Sequence, residues 1–167
     1  MDLGSTITAL VIVLVCIIPF IIMGIKNRKK KQQFFKALLD LAHENSYSIS
    51  RHEIWADTAI GIDDKAAVLF FTKKTGGSQM REQVSLSAIQ ECRLIKRGVT
   101  EGKTDNYTTI DMLGLGFTYH NKSKEDTVFE FYSSNESTPT LSGELDLAKH
   151  WQKISNDKIA GLQQGKK

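Results

Sequence analysis

From Leu3 to Ile25 the chain carries no charged residue, and five of the next six positions, Lys26, Arg28, Lys29, Lys30 and Lys31, are basic. A hydrocarbon core about 30 Å thick is crossed by roughly 20 helical residues. The stretch Ile7–Ile25, ITALVIVLVCIIPFIIMGI, is long enough for one crossing. Its many β-branched residues do not argue against a helix, because in lipid a single segment satisfies its own backbone only as a helix. Pro19 is expected to kink it. A cleaved signal peptide carries positive charge before the apolar run and small residues at the cut site. Here the N-terminal flank holds Asp2 and no Lys or Arg, and the run ends in Met23-Gly24-Ile25. A lipid attachment signal at Cys16 is disfavoured by the bulky Val15 before it. The expectation is an uncleaved single-pass anchor over residues 1–31. Lys and Arg stay on the cytoplasmic side, so the N-terminus is expected outside and the rest of the chain in the cytoplasm, on the inner membrane. Lys26, Arg28, Lys29, Lys30 and Lys31 are then the expected contacts to membrane lipids, at about 1 kcal/mol per residue near an anionic surface.

The same cluster accounts for the charge of the chain. It supplies five positive charges and Asp2 one negative, so residues 32–167 carry −1 of the formal net +3. A nucleic-acid surface needs clustered positive charge, and none is expected on this domain. Cys16 and Cys92 are the two cysteines, too few for a disulfide framework.

Residues 32–46 read as an amphipathic connecting helix. Phe34, Phe35, Leu38, Leu41 and Ala42 recur at helical spacing, and Asn45-Ser46 is a stop. Its apolar face is expected on its own domain rather than on the membrane. Residues 47–167 read as a β-rich domain with a C-terminal helix. Ala59–Ile62 and Ala66–Thr72 flank a polar turn, Lys73–Ser78 reads as a loop, and Val84–Ile89 and Cys92–Ile95 read as strands. Arg97–Asn106 reads as a longer loop. Leu113–Tyr119 and Thr127–Tyr132 pair around a turn, for about six strands in all. Leu145, Ala148, Trp151, Ile154 and Ile159 then share one helical face, with Ser142 as expected N-cap, Trp151 as core anchor and a fraying tail from Gly161.

No metalloprotease, nucleophile-elbow, paired-cysteine or phosphate-loop motif occurs. His43, His52, His120 and His150 lack metal-ligand spacing. Gly114-Leu115-Gly116 begins a dinucleotide fingerprint, but Tyr119 occupies the third glycine's place and the stretch lies in a strand. Close backbone approach is the better account of these glycines. Asp63-Asp64 reads as turn chemistry rather than an acid–base pair, and Cys92 as a small buried residue. No cofactor is expected. Glycosylation sequons begin at Asn106, Asn121 and Asn135, and they are irrelevant on a cytoplasmic domain.

Antiparallel strands closed by one C-terminal amphipathic helix resemble the pleckstrin-homology-like fold, and Leu86-Ser87-Ala88-Ile89 resembles a step common in such domains. The chain is also similar to a group of small bacterial membrane-anchored proteins with a basic stop, an IGID hairpin as at Ile60–Asp63, an FTY strand as at Phe117–Tyr119 and an EFY strand as at Glu130–Tyr132. The second resemblance carries no activity over. The first implies binding of lipid headgroups or peptides, and a basic loop mouth drawn from Lys73, Lys74, Lys96, Arg97 and Lys103. Ordinary solvation also accounts for such lysines. The fold expectation is therefore α+β: a transmembrane helix, then an antiparallel β-rich domain closed by a helix. The functional expectation is a membrane-tethered interaction module for a lipid headgroup, peptide, or membrane or cytosolic protein. The alternative is an enzyme whose site is dispersed along the chain.

Overall fold

Apolar side chains at positions 34, 37, 38, 41 and 42 of one helix must be covered, and the sheet that covers them orders the first half of the domain. The computed structural model describes residues 28–100, 108–135 and 143–165, without the side chains of 99, 100, 108 and 109. The apolar run and Lys26 lie outside these residues. Among the described residues no helix is long and apolar enough to cross a membrane.

Helix α1 covers residues 28–43 and already includes Arg28–Lys31. Phe34, Ala37, Leu38, Leu41 and Ala42 are buried, the i, i+3, i+4 pattern of a single buried stripe. Its end is a Schellman motif. Tyr47 N–H donates to Ala42 C=O at 2.9 Å and Ser46 N–H to His43 C=O at 3.0 Å. Ser46 holds the left-handed position at φ 60.

Four strands follow as an antiparallel meander: β1 Arg51–Trp55, β2 Thr58–Asp63, β3 Val68–Thr75 and β4 Ser78–Ser85. A 3-10 turn, Leu86–Ala88, leads into a second meander of β5 Ile89–Thr100, β6 Thr108–Tyr119 and β7 Thr127–Ser133. Helix α2, Glu144–Gln164, ends the described chain. The domain is thus α+β, with two antiparallel sheets and two flanking helices.

Strand periodicity sorts β2 and β3 between two cores. Ala59, Val68 and Phe70 face α1 in one cluster. Ile60, Ile62, Leu69 and Phe71 face the second sheet in the other. There Phe71 stacks on Phe129 of β7 at 4.8 Å and Trp55 stacks on Phe131 at 4.7 Å. Gly61 lies under α1. A Cβ at this position would stand 2.8 Å from Leu38 Cδ2, so the missing side chain is what lets helix and strand touch. Gly114 and Gly116 act in the same way. A Cβ at 116 would be 2.6 Å from Ile95 Cδ1, and one at 114 would be 2.8 Å from the Phe129 carbonyl.

Helix α2 packs on the second sheet, chiefly on β5, and reaches β1 of the first sheet through the Trp151 side chain. Asn156 clasps β5, accepting the Cys92 N–H at 2.9 Å and donating to the Cys92 carbonyl at 2.8 Å. Trp151, 1% exposed, donates from Nε1 to Glu53 of β1 at 2.6 Å. Trp151 is the core anchor that its helical position predicts.

Several boundaries differ from expectation. The expected Lys73–Ser78 loop shrinks to Gly76-Gly77, since β3 runs to Thr75 and β4 starts at Ser78. These glycines, at φ 56 and 92, supply the positive φ values of a two-residue hairpin turn. Val84–Ile89 is not one strand. It joins the end of β4, the 3-10 turn and the start of β5, because here the chain changes sheets. Of the expected Arg97–Asn106 loop, residues 97–100 belong to β5, and the rest lies outside the described residues. The N-cap of α2 is Gly143, at φ 96, and the helix passes through Gly161 instead of fraying there.

Candidate functional site

Hairpin topology gives the domain two ends. The β1–β2 turn at Ala56-Asp57 and the β3–β4 turn at Gly76-Gly77 lie at one end, and the Asp63–Ala67 connection lies at the other. Helix α1 begins at the first end, where Lys30 reaches Asp57, and finishes at the second, where Asn45 Nδ2 donates to Gln83 Oε1.

A cleft of about 670 Å³ opens at the first end. Lys30, Gln33 and Phe34 of α1 form one wall, Asp57 forms a second, and Lys74, Gly76, Gly77 and Gln79 of the hairpin form the third. Phe34, 5% exposed, belongs to both cleft and core, so the apolar stripe of α1 fixes that wall. The Asp57 carbonyl accepts the Lys74 N–H at 2.9 Å, which ties the two turns together through backbone alone. Lys30 Nζ meets Asp57 Oδ1 at 2.6 Å, with both side chains about half exposed (48% and 49%). Added Cβ atoms at Gly76 and Gly77 would meet nothing within 4 Å, so the hairpin tip is open. Two lysines and two glutamines thus border the cleft, opposed by one carboxylate. This set of side chains suits an oxygen-rich anion.

The other expected binding residues are dispersed. Lys73 is not on a loop. It sits in β3, 5% exposed, and its ammonium meets Glu130 of β7 at 2.5 Å, joining the two sheets. Lys96 and Arg97 lie exposed on β5 of the second sheet, away from the cleft lining. Lys103 lies outside the described residues. Arg28, Lys29 and Lys31 are exposed on α1 beside Lys30. Sequence reading missed the contributions of Asp57, Gln33 and Gln79. Only the Gly-Gly turn signal, which pairs β3 with β4, could have brought Gln79 opposite Lys74.

Other groups have structural partners. Asp63 is 4% exposed and its carboxylate accepts the N–H groups of Ser48 at 2.8 Å, Lys65 at 2.9 Å and Ala66 at 3.0 Å. The Ala66 and then the Ser48 N–H groups hold its pKa below the ordinary carboxylate range, against the opposing effect of burial. This is the turn role that Asp63-Asp64 suggests. Cys92 is buried, and burial pushes its thiol up to about 12, far from a reactive thiolate. Among the described residues no group of three or more His, Cys, Asp or Glu side chains is placed to hold a metal ion. A smaller hollow of about 210 Å³ near Tyr47, Gln83 and Tyr119 lies at the far end, where Lys124 Nζ sits 3.9 Å over the Tyr119 ring.

In comparisons with known proteins, the chain matches no family model, no curated protein and no solved structure.

Proposed function

We propose that the protein is a membrane-anchored module that holds an anionic lipid headgroup against the inner face of the bilayer. The cleft between α1 and the two turns carries this reading. Lys30 in its wall is five residues beyond Ile25, where the apolar run ends. Whatever path the intervening residues take, they span at most about 18 Å. An anchor in the bilayer therefore keeps the cleft within reach of the headgroup layer. The exposed Arg28, Lys29 and Lys31 add positive charge at the same end, while Asp63 and Asp64 lie at the opposite one. Two sheets closed by a C-terminal helix fit the pleckstrin-homology-like resemblance. That fold hosts many functions, so the cleft and not the fold supports the binding role.

Lysine footprinting of the full chain in lipid nanodiscs tests the reading. Lys74 is expected to be protected from an amine-acetylating reagent when phosphatidylglycerol replaces part of the phosphatidylcholine. Lys96, exposed on β5, should label equally in both. Equal labelling of Lys74 in the two nanodiscs would remove the headgroup role. Protease added to intact spheroplasts tests the orientation, and digestion of the domain without lysis would place it outside.

A further inference from the structure

The cleft already contains an anion of its own. Asp57 Oδ1 stands 2.6 Å from Lys30 Nζ, in the space an arriving anion would occupy. We propose that Asp57 is a displaceable gate, and that the cleft takes a phosphate group only by exchanging it for the Asp57 carboxylate. This inference rests on the reading that the cleft binds an anion, and adds the ligand class and the residue that limits its affinity.

Three observations support the exchange. First, the ion pair is weakly held, because both side chains are about half exposed and such pairs contribute little in water. Second, opening it leaves the turn intact. Asp57 is fixed by its backbone carbonyl, which accepts the Lys74 N–H, and not by its carboxylate. Third, the remaining lining is complementary to phosphate. Lys30 and Lys74 are point-charge donors, Gln33 offers its amide N–H groups, Gln79 keeps one N–H beyond the bond its Nε2 donates to Thr72 Oγ1 at 2.9 Å, and the bare Gly76-Gly77 tip admits a bulky oxyanion. A tetrahedral phosphate has enough acceptor oxygens to meet both lysines together, whereas the Asp57 carboxylate is paired with Lys30 alone among the ion pairs of the described residues. Once released, the carboxylate stays tethered beside the cleft and repels the bound anion. Unit charges a few ångströms apart in a largely aqueous setting correspond to a several-fold to tenfold change in affinity. Asp57 thus holds the cleft below saturation on a surface where phosphate-bearing headgroups are abundant.

The experiment uses the full chain in phosphatidylcholine nanodiscs, with the Gly76 and Gly77 amide resonances as reporters. Inorganic phosphate is titrated into the wild type, Asp57→Asn and Lys74→Gln, and a parallel series uses nanodiscs doped with phosphatidate. Asp57→Asn is expected to lower the phosphate midpoint about tenfold, and Lys74→Gln to raise it. If Asp57→Asn titrates like the wild type while Lys74→Gln weakens binding, the gate is overturned and the anion cleft survives. If no form responds to phosphate or to phosphatidate, both readings fall. Tighter binding by Asp57→Asn only in the phosphatidate series supports the gate with a lipid headgroup as the source. Tighter binding only in the free-phosphate series supports it with a soluble phosphate as the source.

Discussion

Substituting Gly61 by Ala tests whether α1 is seated on the sheet by direct contact. The new methyl would stand 2.8 Å from Leu38 Cδ2, 3.2 Å from the Arg51 carbonyl and 3.2 Å from Ile49 Cγ2. Overpacking of this kind costs about 1–3 kcal/mol. Loss of the glycine's unfolded-state freedom returns about 0.4–1 kcal/mol. The expected net destabilisation is about 1–2 kcal/mol. Leu38→Ala alone empties a site that is 0% exposed, at about 2–5 kcal/mol. The double variant is the decisive one. Removing Leu38 Cδ2 relieves the shortest of the three contacts, and the added methyl fills part of the vacated space. Its destabilisation should fall short of the sum of the singles by about 1 kcal/mol or more. Pulse proteolysis across a urea series, on the full chain in nanodiscs, gives the four stabilities. Additivity within about 0.5 kcal/mol would mean that Gly61 and Leu38 do not share this contact, and the account of how α1 meets β2 would be refuted.

Truncating Trp151 to Ala should destabilise the domain by about 3–5 kcal/mol, since the ring is 1% exposed and its Nε1–H meets Glu53; a urea-series shift under about 1 kcal/mol would contradict its role as anchor. Glu82 faces the core opposite Phe71, its Oε2 is buried without a hydrogen-bond partner, and burial raises its pKa. A carboxyl whose pKa is raised by folding favours the fold while protonated, so stability should fall as pH rises from the unfolded value of about 4.3 through the folded one. Glu82→Gln should therefore gain more over the wild type at pH 7 than at pH 4, and an equal gain at both would exclude this origin. Ser46→Gly should stabilise the domain by about 1 kcal/mol, because Ser46 occupies the left-handed C′ position of α1 at φ 60; an unchanged or lowered urea midpoint would contradict it.

The strands legible in the sequence are those whose residues are sorted by a core. β2 and β3 are buried on both faces and read as continuous apolar runs, while β6 and β7 carry the alternation of Leu113, Leu115 and Phe117 and of Phe129 and Phe131. β1 and β4 were not legible because they are edge strands. In register with the core-facing residues of β2 and β3 they place Arg51, Glu53 and Trp55, and Met80, Glu82 and Val84, of which Arg51 and Met80 are exposed. Charge in half of these positions erases the period-two signal. The chain reversal at Leu86–Ala88 was hidden in VSLSAI, since a local run carries no mark of a change of sheet. For the site, the basic cluster and Lys74 could be read, but Asp57 could not. Its meaning depends on a hairpin register and on a helix that begins far upstream of it. The burial of Lys73 was equally invisible, because its partner Glu130 is 57 positions away.

The Asn156 clasp on β5 has a consequence for how copies of this chain tolerate one another. A bare strand edge is a template onto which a neighbour's strand can add, and folded proteins blunt such edges to stay free of aggregation. β5 is the longest edge in the domain's second sheet, and at Cys92 both of its outward backbone groups are already occupied by the Asn156 carboxamide. β4, the open edge of the first sheet, is guarded differently. Its residues are mostly polar and exposed, and Arg81 is drawn toward Glu44 at 3.6 Å. Helix α2 is therefore both a plug for the core and a stopper against strand exchange. Asn156→Ala should free the β5 edge and raise the chain's tendency to self-associate even where its thermal stability is little changed.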